Sequence, residues 1–302
     1  MSDLFPGYEQ RRITAAGVGI NCMVGGQGAA LLLLHGYPQT LACWHRVAPA
    51  LREAFTVVIP DLPGYGDSDF VEPDVDNRRY AKRQSAIIMA ELMRNLGHDR
   101  FALVGHDRGG RVAYRLALDR PELVSRLALF DITPTIETWE AMRWSDAIAE
   151  FHWPLLAQEG GLPERLIEGD PDFFLRYLMG RWASDTSRID PRALADYLRC
   201  FRRPTTIKAT CADYRAGATV DAEDDEADRQ TGRRIACPLL VLWGDSRPDL
   251  LPVWRRWAGN VRGEGLQCGH FLQEEAPAEV LARLLPFLAE SGGSPPRPLK
   301  PA

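Results

Sequence analysis

Short apolar runs recur along the chain at intervals that leave room for a helix between them. Ala30-Leu31-Leu32-Leu33-Leu34, Phe55-Thr56-Val57-Val58-Ile59, Phe101-Ala102-Leu103-Val104, Leu127-Ala128-Leu129-Phe130 and Pro238-Leu239-Leu240-Val241-Leu242-Trp243 each read as a strand buried on both faces of a parallel sheet. Residues 11–24 alternate loosely and predict an opening pair of strands, broken at Gly25-Gly26-Gln27-Gly28. Helical spacing appears over 80–96, closed by Gly97, and again over 112–118, 252–257 and about 277–288. From about Pro134 the strand-like runs cease, and Trp139, Trp144, Trp153, Phe173, Phe174, Tyr177 and Trp182 follow helical spacing. This pattern predicts an α/β fold with a mostly parallel central sheet flanked by helices and a helical insertion. The expected division is a core of 1–134 and 222–302 with a cap of 135–221, whose aromatics mostly form its own core. The charged run 221–229 reads as a solvated return linker or helix face, and the Gly/Pro-rich tail 291–302 as unstructured.

The sharpest local signal is Gly105-His106-Asp107-Arg108-Gly109, set between a strand and a helix. Glycines two residues before and two after a central side chain match a nucleophile elbow, where the central residue is strained and flanking side chains would clash. The central residue here is Asp107. A serine needs a base to take its proton, whereas a carboxylate attacks as it stands. The elbow therefore points to displacement at a carbon that bears a leaving group. Alone, the pentapeptide is equally a tight turn with an N-capping Asp. Two further carboxylates end strands, Asp131 and Asp245, and His270 follows in Gly269-His270-Phe271-Leu272, so the chain order is nucleophile, acid, histidine. Spacing leaves Asp131 and Asp245 both open as the partner of His270.

Arg108 and Arg111, three apart in the first turn of the elbow helix, share a face. Cations are disfavoured at a helix N-terminus. Two beside the nucleophile suit an anion held between them, and an Arg fork suits a carboxylate. The competing reading is structural ion pairs with Asp107 or with cap acids. Composition changes little of this: a formal net charge of -5 gives no reason to expect nucleic acid or an anionic membrane. The N-terminal residues lack a basic and an apolar region of the secretory kind, and no apolar run approaches a membrane span. The six cysteines are scattered without metal-type pairing, as reduced thiols of a cytoplasmic enzyme would be.

The elbow, the chain order and the His35-Gly36-Tyr37-Pro38-Gln39-Thr40 loop together resemble the α/β-hydrolase fold over nearly the whole chain. Within that superfamily an Asp nucleophile marks the haloalkane dehalogenases, haloacetate dehalogenases and epoxide hydrolases. Gly105-His106-Asp107-Arg108-Gly109-Gly110-Arg111, Phe151-His152-Trp153 and Asp213-Tyr214-Arg215-Ala216-Gly217 resemble the fluoroacetate dehalogenases in particular. The resemblance implies a small haloacid substrate and water as partners, no cofactor, no metal, and a homodimer. It implies Asp107 as nucleophile, His270 as base and Asp131, in Phe130-Asp131-Ile132-Thr133-Pro134, as the acid. It also implies Arg108 and Arg111 on the substrate carboxylate, His152, Trp153 and Tyr214 on the halide, and the backbone N–H groups of Tyr37 and Arg108 as oxyanion hole. An epoxide hydrolase or haloalkane dehalogenase built on the same Asp-His-Asp set is the alternative, with Tyr177, Tyr197 and Tyr214 as the tyrosines an epoxide hydrolase could use. A non-catalytic relative that senses a small acid is a third.

Overall fold

Eight strands form one sheet in the order β1-β2-β4-β3-β5-β6-β7-β8. They are β1 Glu9–Ala15, β2 Val18–Gly25, β3 Ala29–Leu34, β4 Phe55–Pro60, β5 Phe101–His106, β6 Val124–Phe130, β7 Leu239–Gly244 and β8 Val261–Leu266. The computed structural model describes residues 2–290. Met1 and the tail 291–302 expected to be unstructured lie outside the described residues. The β1–β2 and β2–β4 pairs are antiparallel, and every other pair is parallel. The leucines of β3, and all of β5 and β7, are buried. Helices on both faces account for that uniform apolar character.

One strand was not foreseen. β8, Val-Arg-Gly-Glu-Gly-Leu, sits at the sheet edge with alternating exposure, and its glycines at 263 and 265 blunt any apolar run. Gly263 is needed where it stands: a Cβ there would meet the backbone of Val241 in β7.

Only helices lie between β6 and β7, from Thr135–Ala141 through Val220–Thr231. Two of them start by the same local device. Asp170 and Asp190 accept from N–H groups of the first turn, and Pro171 and Pro191 occupy the first helical position. Of the insertion's aromatics, Trp153 is buried, but Trp144 is 79% exposed, Phe173 64% and Tyr177 43%. The expectation that these aromatics mostly form an internal core therefore fails for those three.

The run 221–229 also departs from expectation. It is helical within Val220–Thr231, and Asp221, Asp225 and Asp228, spaced as one helix face, are buried. Arg115 of the elbow helix donates to Asp225 at 3.0 Å and to Asp228 at 2.6 Å, and the Tyr114 hydroxyl donates to Asp225 at 2.8 Å. Lys82 donates through its backbone N–H to Asp221 at 2.7 Å and ion-pairs with it at 3.1 Å. Charge density alone cannot reveal such a face, because its partners come from helices more than a hundred residues earlier. Removing Arg115 leaves Asp225 buried without its cation and Asp228 with Arg233 alone, so Arg115→Met should destabilise the protein by about 3–5 kcal/mol. Urea denaturation followed by circular dichroism measures this, and an unchanged midpoint would contradict it.

Candidate active site

The parallel strands deliver their loops to one edge of the sheet, where open α/β sheets bind ligands. β5 ends at His106 in extended conformation, and the helix Asp107–Asp119 begins at once. Asp107 makes that corner with φ of 47°, in the left-handed region that L-residues rarely occupy. The packing leaves no side-chain room at the flanking glycines. A Cβ at Gly105 would lie 2.5 Å from the Gly109 carbonyl oxygen, and one at Gly109 2.5 Å from that of Leu34. Asp107 Oδ1 accepts the Tyr37 N–H at 2.7 Å. Arg108 is the second residue of the helix, so its N–H belongs to the first turn, which has no intrahelical acceptor. Burial would raise the Asp107 carboxyl, but His270, then His106, Arg108 and Arg111, outweigh it and hold the group below the usual carboxylate range. Asp107 is therefore an anion at neutral pH.

His270 follows β8 and sets its Nε2 3.9 Å from Asp107 Oδ2. Its Nδ1 meets Asp131 Oδ2 at 2.6 Å, while Asp131 Oδ1 accepts the Gly244 N–H at 2.9 Å. Asp131 also adopts a positive φ, 56°, just after β6. Asp245 is exposed, and its N–H donates to the Cys268 carbonyl. Burial pulls the His270 imidazole down, yet Asp131 and then Asp107 outweigh it, so its affinity for a proton is higher than usual. Behind it, His106 donates from Nε2 to the His270 carbonyl at 2.8 Å. Burial and the neighbouring His270 push His106 down to about 3, so it stays neutral and takes Gln273 Nε2 on Nδ1 at 3.3 Å.

Arg108 and Arg111 are both buried, and their settings differ. Arg108 grips Asp213 with Nε at 2.9 Å and Nη2 at 3.0 Å, and donates to the Asp213 carbonyl at 2.7 Å. Asp213 also ion-pairs with Lys82 and accepts the Tyr65 hydroxyl at 2.7 Å. Thus Arg108 does pair with an acid of the insertion. Arg111 meets only neutral acceptors: the Thr133 carbonyl at 2.9 Å and the hydroxyls of Thr135 at 3.2 Å and Thr138 at 3.3 Å. Burial first, then the Arg108 charge, lower the proton affinity of Arg111, but a guanidinium keeps its charge in proteins. Each arginine retains one buried nitrogen without a partner, Nη1 of Arg108 and Nε of Arg111.

Aromatic rings from the insertion close over these cations. Tyr214 lies 4.2 Å from the Arg108 guanidinium carbon, and Trp153 4.5 Å from that of Arg111. His152 packs edge-on against Tyr214 at 5.5 Å and lies tilted against Trp182 at 4.5 Å. Burial keeps the His152 imidazole neutral, and its Nδ1 has no hydrogen-bond partner. The tyrosines outside this group sit elsewhere. Tyr197 receives Gln39 Nε2 at 3.5 Å, and exposed Tyr177 accepts from Arg181. Among the described residues, no cluster of His, Cys, Asp and Glu side chains is arranged to hold a metal ion.

Residues 29–277 match the family model of the alpha/beta hydrolase fold. The chain belongs to that family. A fluoroacetate dehalogenase of Burkholderia sp is 42% identical over 95% of this chain and 96% of its own. A soluble epoxide hydrolase of Corynebacterium sp. (strain C12) is 34% identical over 94% of each. A solved structure from Nostoc sp PCC 7120, described as a candidate alpha/beta hydrolase, is 46% identical with a TM-score of 0.93, covering 95% of this chain and all of that one. Asp107, Asp131 and His270 thus lie in the loops that follow β5, β6 and β8 of this hydrolase fold.

The sequence pattern shows Asp213 without a role, and gives no sign of Lys82, Glu150 and Arg247. Only Asp213 carried a signal, as an acid beside Tyr214 on the face that meets the elbow helix. At Gly36 the close approach is to the nucleophile itself: a Cβ there would lie 2.6 Å from Asp107 Oδ1. Gly36→Ala should therefore displace the Asp107 carboxylate while leaving the fold standing. The check is about a hundredfold or greater loss of turnover with an unchanged circular dichroism spectrum; full turnover would refute the close fit.

Proposed function

We propose that the chain is a hydrolytic dehalogenase of short 2-haloacids, with fluoroacetate favoured, giving glycolate and halide without a cofactor. The observation that carries this reading is the pair of buried arginines beside Asp107, each with an unpartnered nitrogen. A buried donor without an acceptor is costly, and two such donors beside a nucleophile suit a substrate carboxylate. Asp213 and Asp221 together balance Arg108 and Lys82, so Arg111, paired with neutral acceptors, supplies the net attraction for an anion. The 42% identity to the Burkholderia sp fluoroacetate dehalogenase supports the same reading.

In this scheme Asp107 Oδ2 attacks the α-carbon, forming the C–O bond as the carbon–halogen bond breaks and the halide leaves with its electron pair. Arg108 and Arg111 hold the carboxylate so that attack is in line. His152, Trp153 and Tyr214 donate to the departing halide as its charge grows. Water then adds to Cγ of the Asp107 ester, and His270 Nε2, oriented by Asp131, takes its proton. The oxygen left negative is Oδ1, which the Tyr37 N–H already meets, with the Arg108 N–H as the second donor. Collapse of this intermediate releases glycolate as the imidazolium returns a proton. We take 135–221 as the cap that closes over these steps, and 1–134 with 222–302 as the core.

The epoxide hydrolase reading has one observation in its favour, the 34% identity to the Corynebacterium enzyme. Of Tyr177, Tyr197 and Tyr214, the last lies beside Arg108, while Tyr177 and Tyr197 are turned to other partners.

The test is halide release from fluoroacetate and chloroacetate, with a neutral chloroalkane and a neutral epoxide as controls. We expect release from both acids and no turnover of the controls. Arg111→Gln should lower kcat/KM for the acids about a hundredfold, and His270→Asn should trap a mass increment on the peptide containing Asp107. Turnover of neutral epoxide that survives Arg111→Gln would overturn the reading.

We also propose a homodimer built on the insertion, supported by exposed Trp144, Ile148, Leu162, Leu166 and Phe173. Sedimentation should give twice the chain mass, falling to the monomer in Phe173→Asp. A monomeric wild type would end this proposal.

A further inference from the structure

The Asp131 carboxylate has a cationic neighbour besides His270. Arg247, in the loop after β7, donates from Nε to Asp131 Oδ2 at 3.3 Å, the oxygen that also meets His270. Its Nη2 lies 3.5 Å from Glu150 Oε1, and Glu150 Oε2 lies 3.7 Å from His152 Nδ1. A row of charged groups therefore runs from His270 through Asp131 and Arg247 to Glu150, which stands beside His152. We propose that Arg247 is a positioning residue that fixes Asp131 against His270 and sets the proton affinity of that histidine. The proposal rests on His270 acting as the base, and it adds a control that the Asp-His-Asp set does not itself contain.

The geometry gives Arg247 two tasks. Asp131 Oδ1 is held by the Gly244 N–H, and without Arg247 only the histidine would hold Oδ2. The second task is electrostatic. His270 faces Asp131 at 2.6 Å and Asp107 at 3.9 Å, both anionic, with neutral His106 behind it and neutral His152 across from it. Arg108 and Arg111 stand on the far side of Asp107, and Glu150 stands on the far side of Arg247. Two carboxylates favour the imidazolium, which cannot accept a proton from water. Arg247 is the cation placed to oppose them, and it acts in that sense on His270. The sign follows. Removing the cation keeps His270 protonated to higher pH, so ester hydrolysis is lost over a wider acidic range. Removing Glu150 frees the cation and moves His270 the other way. With 35% of its side chain exposed, Arg247 works partly through solvent, so the effect is moderate.

The experiment titrates the His270 imidazole by NMR in the wild type, Arg247→Gln, Arg247→Lys and Glu150→Gln, alongside the rate of ester hydrolysis against pH. Arg247→Gln should move both the His270 midpoint and the acidic limb of the rate upward, slowing hydrolysis about three- to tenfold at neutral pH. Arg247→Lys should restore most of that loss, and Glu150→Gln should shift the midpoint downward. An unchanged His270 midpoint in Arg247→Gln, or a rate lowered equally at every pH, would overturn the proposal. The NMR midpoint does not depend on turnover. If no haloacid is consumed, the dehalogenase reading fails, and the titration still decides whether Arg247 governs His270.

Discussion

A single backbone corner governs the geometry of this protein. Asp107 leaves β5 and opens a helix with φ of 47°, a conformation that L-residues adopt only when their surroundings impose it. Those surroundings are crowded enough to exclude side chains at Gly36, Gly105 and Gly109. Strain and close packing together hold the carboxylate where the Tyr37 N–H, the His270 imidazole and the first turn of the elbow helix converge. Moving the corner would move every contact at once.

The second constraint is the burial of charge. Arg108, Arg111, Arg115 and Lys82 are all removed from solvent on or near the elbow helix. Each charge needs an answer in a medium where isolated ions are costly. Acids of the insertion and the return helix answer three of them: Asp213 for Arg108 and Lys82, Asp221 for Lys82, and Asp225 with Asp228 for Arg115. These pairs bind the helical insertion to the core as well as neutralising it. Arg111 is answered by a carbonyl and hydroxyls alone. That difference makes one side of the site net positive beside an anionic nucleophile.

The same logic appears around His270. Its proton affinity is a balance between burial, which favours the neutral ring, and two carboxylates, which favour the cation. A third charge from a loop of no regular structure enters this balance through Asp131. The chemistry of the site thus depends on groups drawn from β5, the loops after β3, β6, β7 and β8, and the insertion.

The sequence by itself determined what local pattern can carry. The uniform apolar runs of β3 to β7 mark buried parallel strands, because a strand covered on both faces has no polar side to show. Gly105 and Gly109 mark the elbow, because only glycine tolerates such close backbone contact. Asp107, His270 and the insertion after Pro134 follow from order and spacing along the chain. The edge strand β8 was hidden because half of it faces water and two glycines interrupt it. Tertiary structure alone decided which charges meet. Asp131 rather than exposed Asp245 lies on His270, Arg108 pairs with Asp213 while Arg111 does not pair with an acid, and the acids of 221–229 turn inward to Arg115 and Lys82. Such choices depend on distances of a few ångströms between residues separated by a hundred positions or more. Coulomb and hydrogen-bond energies are set by that separation in space, which no local pattern of residues shows.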